Sequence, residues 1–528
     1  MLLQTSKRLS LSDIIYSASR RANTRIPQYT SYLHRQITTL SALKRLPDTV
    51  SDILYKAGNG TLKETSKVTV HGWVRSVRKQ KKIAFAQIAD GSCDQMIQLV
   101  FLDSSIASEL KTGVSVRATG DLVITPTRAD PCEISISTPI QVIGDYAIPD
   151  EAYPLQKKFM TQEFLRREHP AQRFRTRVNA NILRLRSLTV SCLSEFFSES
   201  GFTQTHPPLI TSSDCEGAGE VFSISSSIDN AETKFFGQDS YLTVSTQLHL
   251  EALMMGLSRV WTLTPAFRAE ESATSRHLSE FWMLEAEVAF TEELEHIMSI
   301  VEQMIRFSVR KMKDAGALEQ IVKLKEMLEK QKLAVNEGED DEETVTAAQV
   351  ITRWNSFIAN DQPWMRITYA EAISVLQAAV ADRQVEFIHA VEDGESLKSE
   401  HEKWLAGNYA RGPIFITQYP SHMKPFYMLP TPNTSGQTVE CFDLLVPDMG
   451  ELVGGSLREH DFARLNSAIE LSGMDTSALS WYLELRKWGT VPHGGFGMGF
   501  ERLICYLGGV YNIREAIAFP RWIDHCAC

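Results

Sequence analysis

No apolar run in this sequence approaches the ~18 residues that a membrane span needs, so no transmembrane helix is expected. Cysteine is present but unpaired in pattern. None of the eight cysteines forms a Cys-x-x-Cys pair, and only Cys526 and Cys528 stand close together. Structural zinc is therefore not expected, and reduced thiols in an intracellular compartment are the simplest reading. No Gly-x-x-x-x-Gly-Lys-Ser/Thr loop occurs, so ATP, if used, is not held by a P-loop. Positive charge is scarce overall: the formal net charge is -11, where a nucleic-acid binder is usually basic, so any such role falls to local patches. Acid is nearly missing from the first 46 residues. There Asp13 stands alone against Lys7, Arg8, Arg20, Arg21, Arg25, Arg35, Lys44 and Arg45, among serines and threonines and without a long apolar stretch. That composition reads as a mitochondrial presequence over residues 1–48, outside the folded part. A basic arm that touches RNA is the alternative.

What is present is a chain of 528 residues, 43% hydrophobic and 23% charged, long enough for two or three domains with a large core. Residues 49–145 are strand-like. Apolar and polar residues alternate over 68–74, 83–88, 96–101, 114–119 and 134–143, with turns rich in Gly, Asp and Pro between them. Five short strands in one such region predict a small barrel such as an OB-fold. Between the first two lie Arg75, Arg78, Lys79, Lys81 and Lys82, followed by Phe85. A charge run is usually a solvated turn; an aromatic beside it on a barrel strand also suits stacking on an RNA base. Residues 146–172, with Pro149 and Pro154, read as a hinge. From 173 to 528 the pattern changes, opening with helical spacing over 175–199 and continuing without a regular βαβ rhythm. The stretch 317–348 is charged and helix-favouring and includes the acidic run 338–343, read as a solvated surface loop within an insertion.

Three clusters carry the chemistry. The first is GFTQTHPPLI at 201–210, after the long helix. The second is FRAEESATSRHLSEFWMLEAE at 267–287, and the third GGFGMGFERL at 494–503. Arg268 and Arg276 stand eight apart in a polar stretch between strand-like flanks. Arginine grips phosphate or carboxylate with a planar, permanently charged fork. The glycines of the third cluster let a flat ligand approach the backbone, on a strand that turns into a helix bearing Arg502. Asp443 and Glu451 offer oxygen ligands for Mg²⁺. Each feature also has a plain reading as turn glycines, surface ion pairs or incidental acids.

Taken together and in order, the clusters resemble motifs 1, 2 and 3 of the class II aminoacyl-tRNA synthetases, most closely the asparaginyl and aspartyl subgroup, from about residue 66 to the C-terminus. The resemblance implies an α+β protein: an N-terminal OB-fold β-barrel that reads the anticodon, and a class II synthetase catalytic domain with an antiparallel sheet flanked by helices. It implies ATP and Mg²⁺, tRNA(Asn) and asparagine as partners, a homodimer and no membrane. Arg268 and Arg502 are the expected catalytic residues. Arg268, Glu270, Arg276, His277, Phe281, Glu451 and Arg502 are expected on ATP, with Phe281 under the adenine and Arg502 over it. Asp443 and Glu451 are expected on Mg²⁺. Glu216, in SDCEGAG at 213–219, belongs to a mobile loop over the amino acid. Gln247, Glu251, Glu285, Arg268 and Arg458 are expected on the amino acid, Phe85, Gln98 and Arg75 on the anticodon, and Pro208 at the dimer interface.

The reaction implied is carboxylate attack on the ATP α-phosphorus, then transfer of the acyl group to the tRNA 3′-hydroxyl. Preference for asparagine over aspartate is expected from 245–251, STQLHLE. Aspartyl enzymes resemble SPQLFKQ there, and this chain has Leu250 at the lysine position with Glu251 beside it. Glutamate can accept from an amide and repels a carboxylate. The rivals are an aspartyl or non-discriminating enzyme, a class II asparagine synthetase without an anticodon reader, and a catalytically inactive RNA-binding paralogue. The OB-like region argues against the second; Arg268, Arg502, Asp443 and Glu451 argue against the third. The expected compartment is the mitochondrial matrix, or the cytoplasm if 1–48 is not a presequence.

Overall fold

The computed structural model describes residues 46–125, 131–155, 160–212, 221–227, 234–272, 274–335, 345–474 and 476–528. Residues 1–45, and with them nearly all of the expected presequence, lie outside these, as do Glu216 and the acidic run 338–343.

The N-terminal barrel opens with helix α1 (Val50–Gly58), started by a capping box in which Thr49 and Asp52 satisfy each other's backbone N–H groups. Six strands follow: β1 (Lys67–Lys79), β2 (Ala84–Ala89), β3 (Ile97–Phe101), β4 (Ser115–Ile124), β5 (Cys132–Ile136) and β6 (Gln141–Gly144). They run in the order β1-β2-β3-β5-β4-β6, and a β1–β4 pairing closes the barrel. Period-two burial in β2 and β3 sends Ala86, Ile88, Ile97 and Leu99 inward and leaves Phe85, Gln87, Gln98 and Val100 on the outer face. The fifth expected strand, 134–143, is two strands. Pro139, which has no N–H to give a ladder, lies in the break between them.

Of the expected hinge, residues 162–168 form helix α2 (Gln162–Glu168). Arg166 on α2 and Arg173 just beyond it both pair with buried Glu515, which ties this segment to the catalytic domain. Helix α3 (Arg177–Glu199), capped by Thr176, matches the helical spacing read at 175–199. The catalytic domain continues with β7 (Thr203–Gln204), β8 (Ile210–Thr211), β9 (Tyr241–Leu242), α4 (Gln247–Leu257), β10 (Arg259–Phe267), β11 (Glu280–Ala289), α5 (Leu294–Asp314), α6 (Ala317–Val335), α7 (Ala347–Ile358), β12 (Met365–Thr368), α8 (Tyr369–Ala381), α9 (Ser399–Trp404), β13 (Ile414–Thr417), β14 (Cys441–Val446), β15 (Gly450–Leu457), α10 (Phe462–Leu471), α11 (Ser480–Glu484), β16 (His493–Gly499) and α12 (Phe500–Gly508). Eight of these strands form one sheet, β12-β13-β14-β15-β16-β11-β10-β7. It is antiparallel except at its two ends, where β12–β13 and β7–β10 pair in parallel.

Helices α3, α5, α6, α7 and α12 share one core with the sheet, built from residues such as Leu193, Phe197, Val301, Trp354, Phe442 and Phe496. Helix α6 corrects part of the insertion reading. Leu318 and Ile321 bury into that core and Leu324 is also buried, so residues 317–335 are a structural helix; Glu319, Lys323, Glu326, Glu329 and Lys330 are exposed, while Lys325 turns inward and donates to the Gly509 carbonyl.

Candidate active site

The second cluster is the hairpin β10–β11 with the loop 268–279 between its strands. Arg268 leaves β10 with its N–H bonded to the Ser279 carbonyl at 3.0 Å. Its guanidinium carbon lies 5.7 Å from the Phe281 ring centroid. Glu270 stands between Arg268, at 3.9 Å, and His277 Nε2, at 3.3 Å. The hydroxyls of Ser272 and Thr274 reach His277 Nδ1 at 2.9 and 2.6 Å and fix its ring. Arg268, Glu270, His277 and Phe281 therefore converge as the resemblance implies. Arg276 lies farther along the cleft, hydrogen-bonded to Ser399 Oγ at the start of α9 and to the Met449 carbonyl. A cleft of about 100 Å³ is lined by Arg276, Arg353, Glu402, Glu451, Arg502 and Tyr511, among others.

Asp443 and Glu451 sit on neighbouring strands. Asp443 pairs with Gly454, and Leu445 pairs with Glu451. Positions 451 and 454 of a regular strand would point to opposite faces. A register shift leaves Leu452 without a partner and returns Glu451 to the face of Asp443. Asp443 Oδ1 and Glu451 Oε1 both lie 3.5 Å from the point that a Cβ on Gly454 would occupy. This all-oxygen cradle fits a hard cation such as Mg²⁺, which typically takes one or two carboxylates and draws its other ligands from phosphates and water. Among the described residues no group of three or more Asp, Glu, His or Cys side chains could hold a metal by itself, which agrees with that mode.

Each acid meets a cation. Arg502 reaches Glu451 at 3.2 Å, and Lys424 reaches Asp443 at 2.7 Å. The sequence reading missed Glu402, on α9, which accepts the Glu451 N–H at 3.2 Å. Burial, then the like charges of Glu451 and Asp443, push its carboxyl up to about 7.

The part of the site around Glu251, Glu285 and Arg458 is denser. Glu285 is buried and accepts from Ser245 Oγ, from Thr246 Oγ1 and from the Thr246 N–H, the last at 3.0 Å. Arg458 is 3% exposed and makes a bidentate pair with Glu287, at 2.5 and 3.4 Å, while its third nitrogen donates to Ser456 Oγ at 2.6 Å. Gly495 makes room for this pair: a Cβ there would lie 2.2 Å from Glu287 Oε1. The glycine thus admits a side chain of this chain, where the sequence reading assigned its space to a ligand.

Glu251 is fully buried, which corrects its expected place as a direct acceptor facing the substrate. Its Oε2 already takes Arg486 at 2.6 Å, Tyr482 at 2.7 Å and His493 at 3.1 Å. Its Oε1 takes Gln247 Nε2 at 3.1 Å, so Glu251 stands behind Gln247. Burial opposes its ionisation, but Arg486, His493 and Arg458 outweigh that and hold its carboxyl well below the usual range. Leu250 beside it is fully buried in an apolar cluster with Met254 and Val260.

On the barrel, Phe85 and Gln98 share the outer face of β2 and β3. Arg78, opposite Phe85 on β1, holds its guanidinium 5.0 Å from the Phe85 ring. The Gln98 amide donates to Glu133 at 3.0 Å. Arg75 is not with them. It is the extra residue where the β1–β2 register shifts between Val74 and Ser76, and its neighbours are Tyr153, Arg175 and Arg177 at the junction with the catalytic domain. The basic residue on Phe85 is Arg78, which the cluster 75–82 contained but did not single out. Pro208 lies exposed in the loop between β7 and β8.

A family model described as tRNA synthetases class II (D, K and N) matches residues 162–523, and one described as OB-fold nucleic acid binding domain matches residues 68–142. The chain is 41% identical over 464 residues to a Saccharomyces cerevisiae protein named asparagine–tRNA ligase, mitochondrial, covering 86% of this chain and 92% of that one. It is 40% identical over 471 residues to the asparagine–tRNA ligase of Desulfotalea psychrophila, covering 88% and 97%. A solved structure of asparaginyl-tRNA synthetase from Pyrococcus horikoshii, complexed with asparaginyl-adenylate, superposes with a TM-score of 0.72 at 29% identity, covering 91% of this chain and 99% of that one.

Proposed function

The chain belongs to the class II tRNA synthetases of the D, K and N group, and from that premise we propose how its residues carry the reaction. The activity is that of an asparagine–tRNA ligase: asparagine is activated by ATP and transferred to the 3′ end of tRNA(Asn). The observation that carries the choice of asparagine is the pair Leu250 and Glu251. Apolar burial at 250 leaves no cation for a second carboxylate oxygen, and the ionised Glu251 beside Arg458 disfavours a substrate carboxylate. Arg458 grips the side-chain oxygen that asparagine and aspartate share. Gln247, held by Glu251, and Glu285 take the ammonium group.

Arg268 holds the α-phosphate and the substrate carboxylate together. A bond forms from the carboxylate oxygen to the α-phosphorus, the bond to the bridging oxygen breaks, and pyrophosphate leaves with the electron pair. Arg276, His277 and Arg502 take the terminal phosphates. Glu270 accepts from the adenine amine, and Phe281 and Arg502 sandwich the ring. Asp443 and Glu451 would hold Mg²⁺, which when bound neutralises charge on the phosphate oxygens. The tRNA 3′-hydroxyl then attacks the acyl carbon and AMP leaves. No side chain becomes a covalent nucleophile; positioning and charge stabilisation supply the rate. Phe85, with Arg78 over it, stacks on an anticodon base, and Gln98 bonds nearby.

A homodimer and a mitochondrial destination belong to this reading. The exposed loop at Pro208 and Ile210, the latter 44% exposed, supports a homodimer built through the first motif. The basic, acid-poor first 46 residues and the mitochondrial relative support import into the matrix. A reporter fused to residues 1–46 should enter mitochondria, and a reporter that stays cytosolic would contradict this. The direct test of the activity is ATP–pyrophosphate exchange with asparagine and aspartate in parallel. Asparagine should be preferred by about 10⁴-fold. Equal exchange with aspartate would make the enzyme aspartyl-type.

A further inference from the structure

The two carboxylates of the Gly454 cradle are matched by cations of different kinds. Arg502 approaches Glu451 from the open cleft, and their side chains are 38% and 40% exposed. Lys424 and Asp443 are 16% and 17% exposed, 2.7 Å apart. The Lys424 ammonium also sits 4.0 Å from the ring of Tyr419, which is buried. Asp443 thus spends Oδ2 on Lys424 and turns Oδ1 toward Gly454 and Glu451. An exposed arginine can swing to a ligand. A lysine in a largely covered pair cannot leave without stranding a carboxylate that is itself mostly out of solvent. Glu402, from α9, accepts the Glu451 N–H, and Arg268 from the β10–β11 loop also bears on Glu451.

We propose that Lys424 is a permanent counter-cation of this site: it keeps Asp443 neutralised, so that a bare divalent ion binds weakly and the ion is taken up together with ATP, whose phosphates supply the missing negative charge. This rests on the reading of Asp443 and Glu451 as the Mg²⁺ carboxylates. In that picture Lys424 is a positioning residue. It sets when the metal enters and does not touch the reacting atoms.

The test is an electron paramagnetic resonance titration of the nucleotide-free full chain with Mn²⁺. Removing a unit charge this close to the cradle should tighten Mn²⁺ binding by at least about tenfold in Lys424→Met. Lys424→Gln, which keeps a donor for Asp443 and removes only the charge, should do the same and serves if the methionine variant does not fold. Lys424→Arg should bind as weakly as wild type. Unchanged binding in both neutral variants, or tight binding in Lys424→Arg, overturns the proposal. The same titration with ATP present, in wild type and Asp443→Asn, tests the underlying reading separately. Loss of the ion in Asp443→Asn supports it. If the ion stays, the reading fails and the proposal falls with it.

Discussion

Arg486 and Glu251 are fully buried and 2.6 Å apart, whereas Arg502 and Glu451, 3.2 Å apart, each keep more than a third of the side chain in solvent. The same contrast divides the whole site. On the amino-acid side Arg458–Glu287 and Arg486–Glu251 are short, dry and hydrogen-bonded on several atoms. On the nucleotide side Arg268–Glu270 at 3.9 Å, His277–Glu270 at 3.3 Å and Arg502–Glu451 are longer and wetter. Buried charges are costly to leave unpaired, while exposed pairs contribute little to stability and can be exchanged. On the proposed reading, the pocket that must tell asparagine from aspartate is thus finished before the substrate arrives. The groups that meet ATP are held in provisional pairs that a phosphate can replace.

The sharpest way to break this contrast is Arg486→Met. It strands Glu251, and unfolding by urea should show a loss of about 3–5 kcal/mol. A loss below about 1 kcal/mol would mean that the buried network is not what builds the pocket floor. Arg502→Ala comes next and should reverse the pattern. Pyrophosphate exchange should fall about a hundredfold, or roughly 3 kcal/mol of transition-state stabilisation, with almost no change in the urea midpoint. Near-normal exchange would remove Arg502 from the chemistry.

Two smaller effects extend the comparison to the barrel, whose core is separate from that of the catalytic domain. Phe85→Ala should weaken tRNA charging by about 1–3 kcal/mol and leave pyrophosphate exchange intact. Equal loss in both assays would make Phe85 a packing residue. Arg78→Ala should cost charging about 0.5–1 kcal/mol, through the lost cation over the Phe85 ring. No change in charging would show that Phe85 works without it.

The pattern of buried and provisional pairs also marks what the sequence made legible. The barrel followed from period-two alternation, and Arg268, Glu270, His277 and Phe281 followed from one contiguous string, because a hairpin brings its own ends together. Arg276, Asp443, Glu451 and Arg502 were legible by resemblance, and the structure gathers them near one cleft. What stayed hidden comes from distant segments. Arg486 and Tyr482 reach Glu251 across more than 230 positions, and no local spacing announces that. Glu287 lay in the quoted string without a role, since only the fold reveals Arg458 across from it. The register shift at Leu452 decides the face of Glu451, and neither Leu452 nor its neighbours Glu451 and Val453 is a residue type that marks a shift. Arg75 was misplaced for the same reason: one extra residue in β1 turns it from the Phe85 face to the domain junction. The burial of α6, in the first half of the insertion, stayed hidden because charge counts do not show which face of a helix is apolar.

The most direct measurement is a crystal structure of the full chain with a non-hydrolysable ATP analogue and Mg²⁺, set beside the ligand-free arrangement. Arg502 should have left Glu451 and Arg276 should have left the Met449 carbonyl, both for the nucleotide, while Arg486–Glu251 and Arg458–Glu287 remain at 2.6 and 2.5 Å. Arg502 still paired with Glu451 beside a bound nucleotide, or a rebuilt Glu251 network, would contradict the division of the site into a finished half and a provisional one.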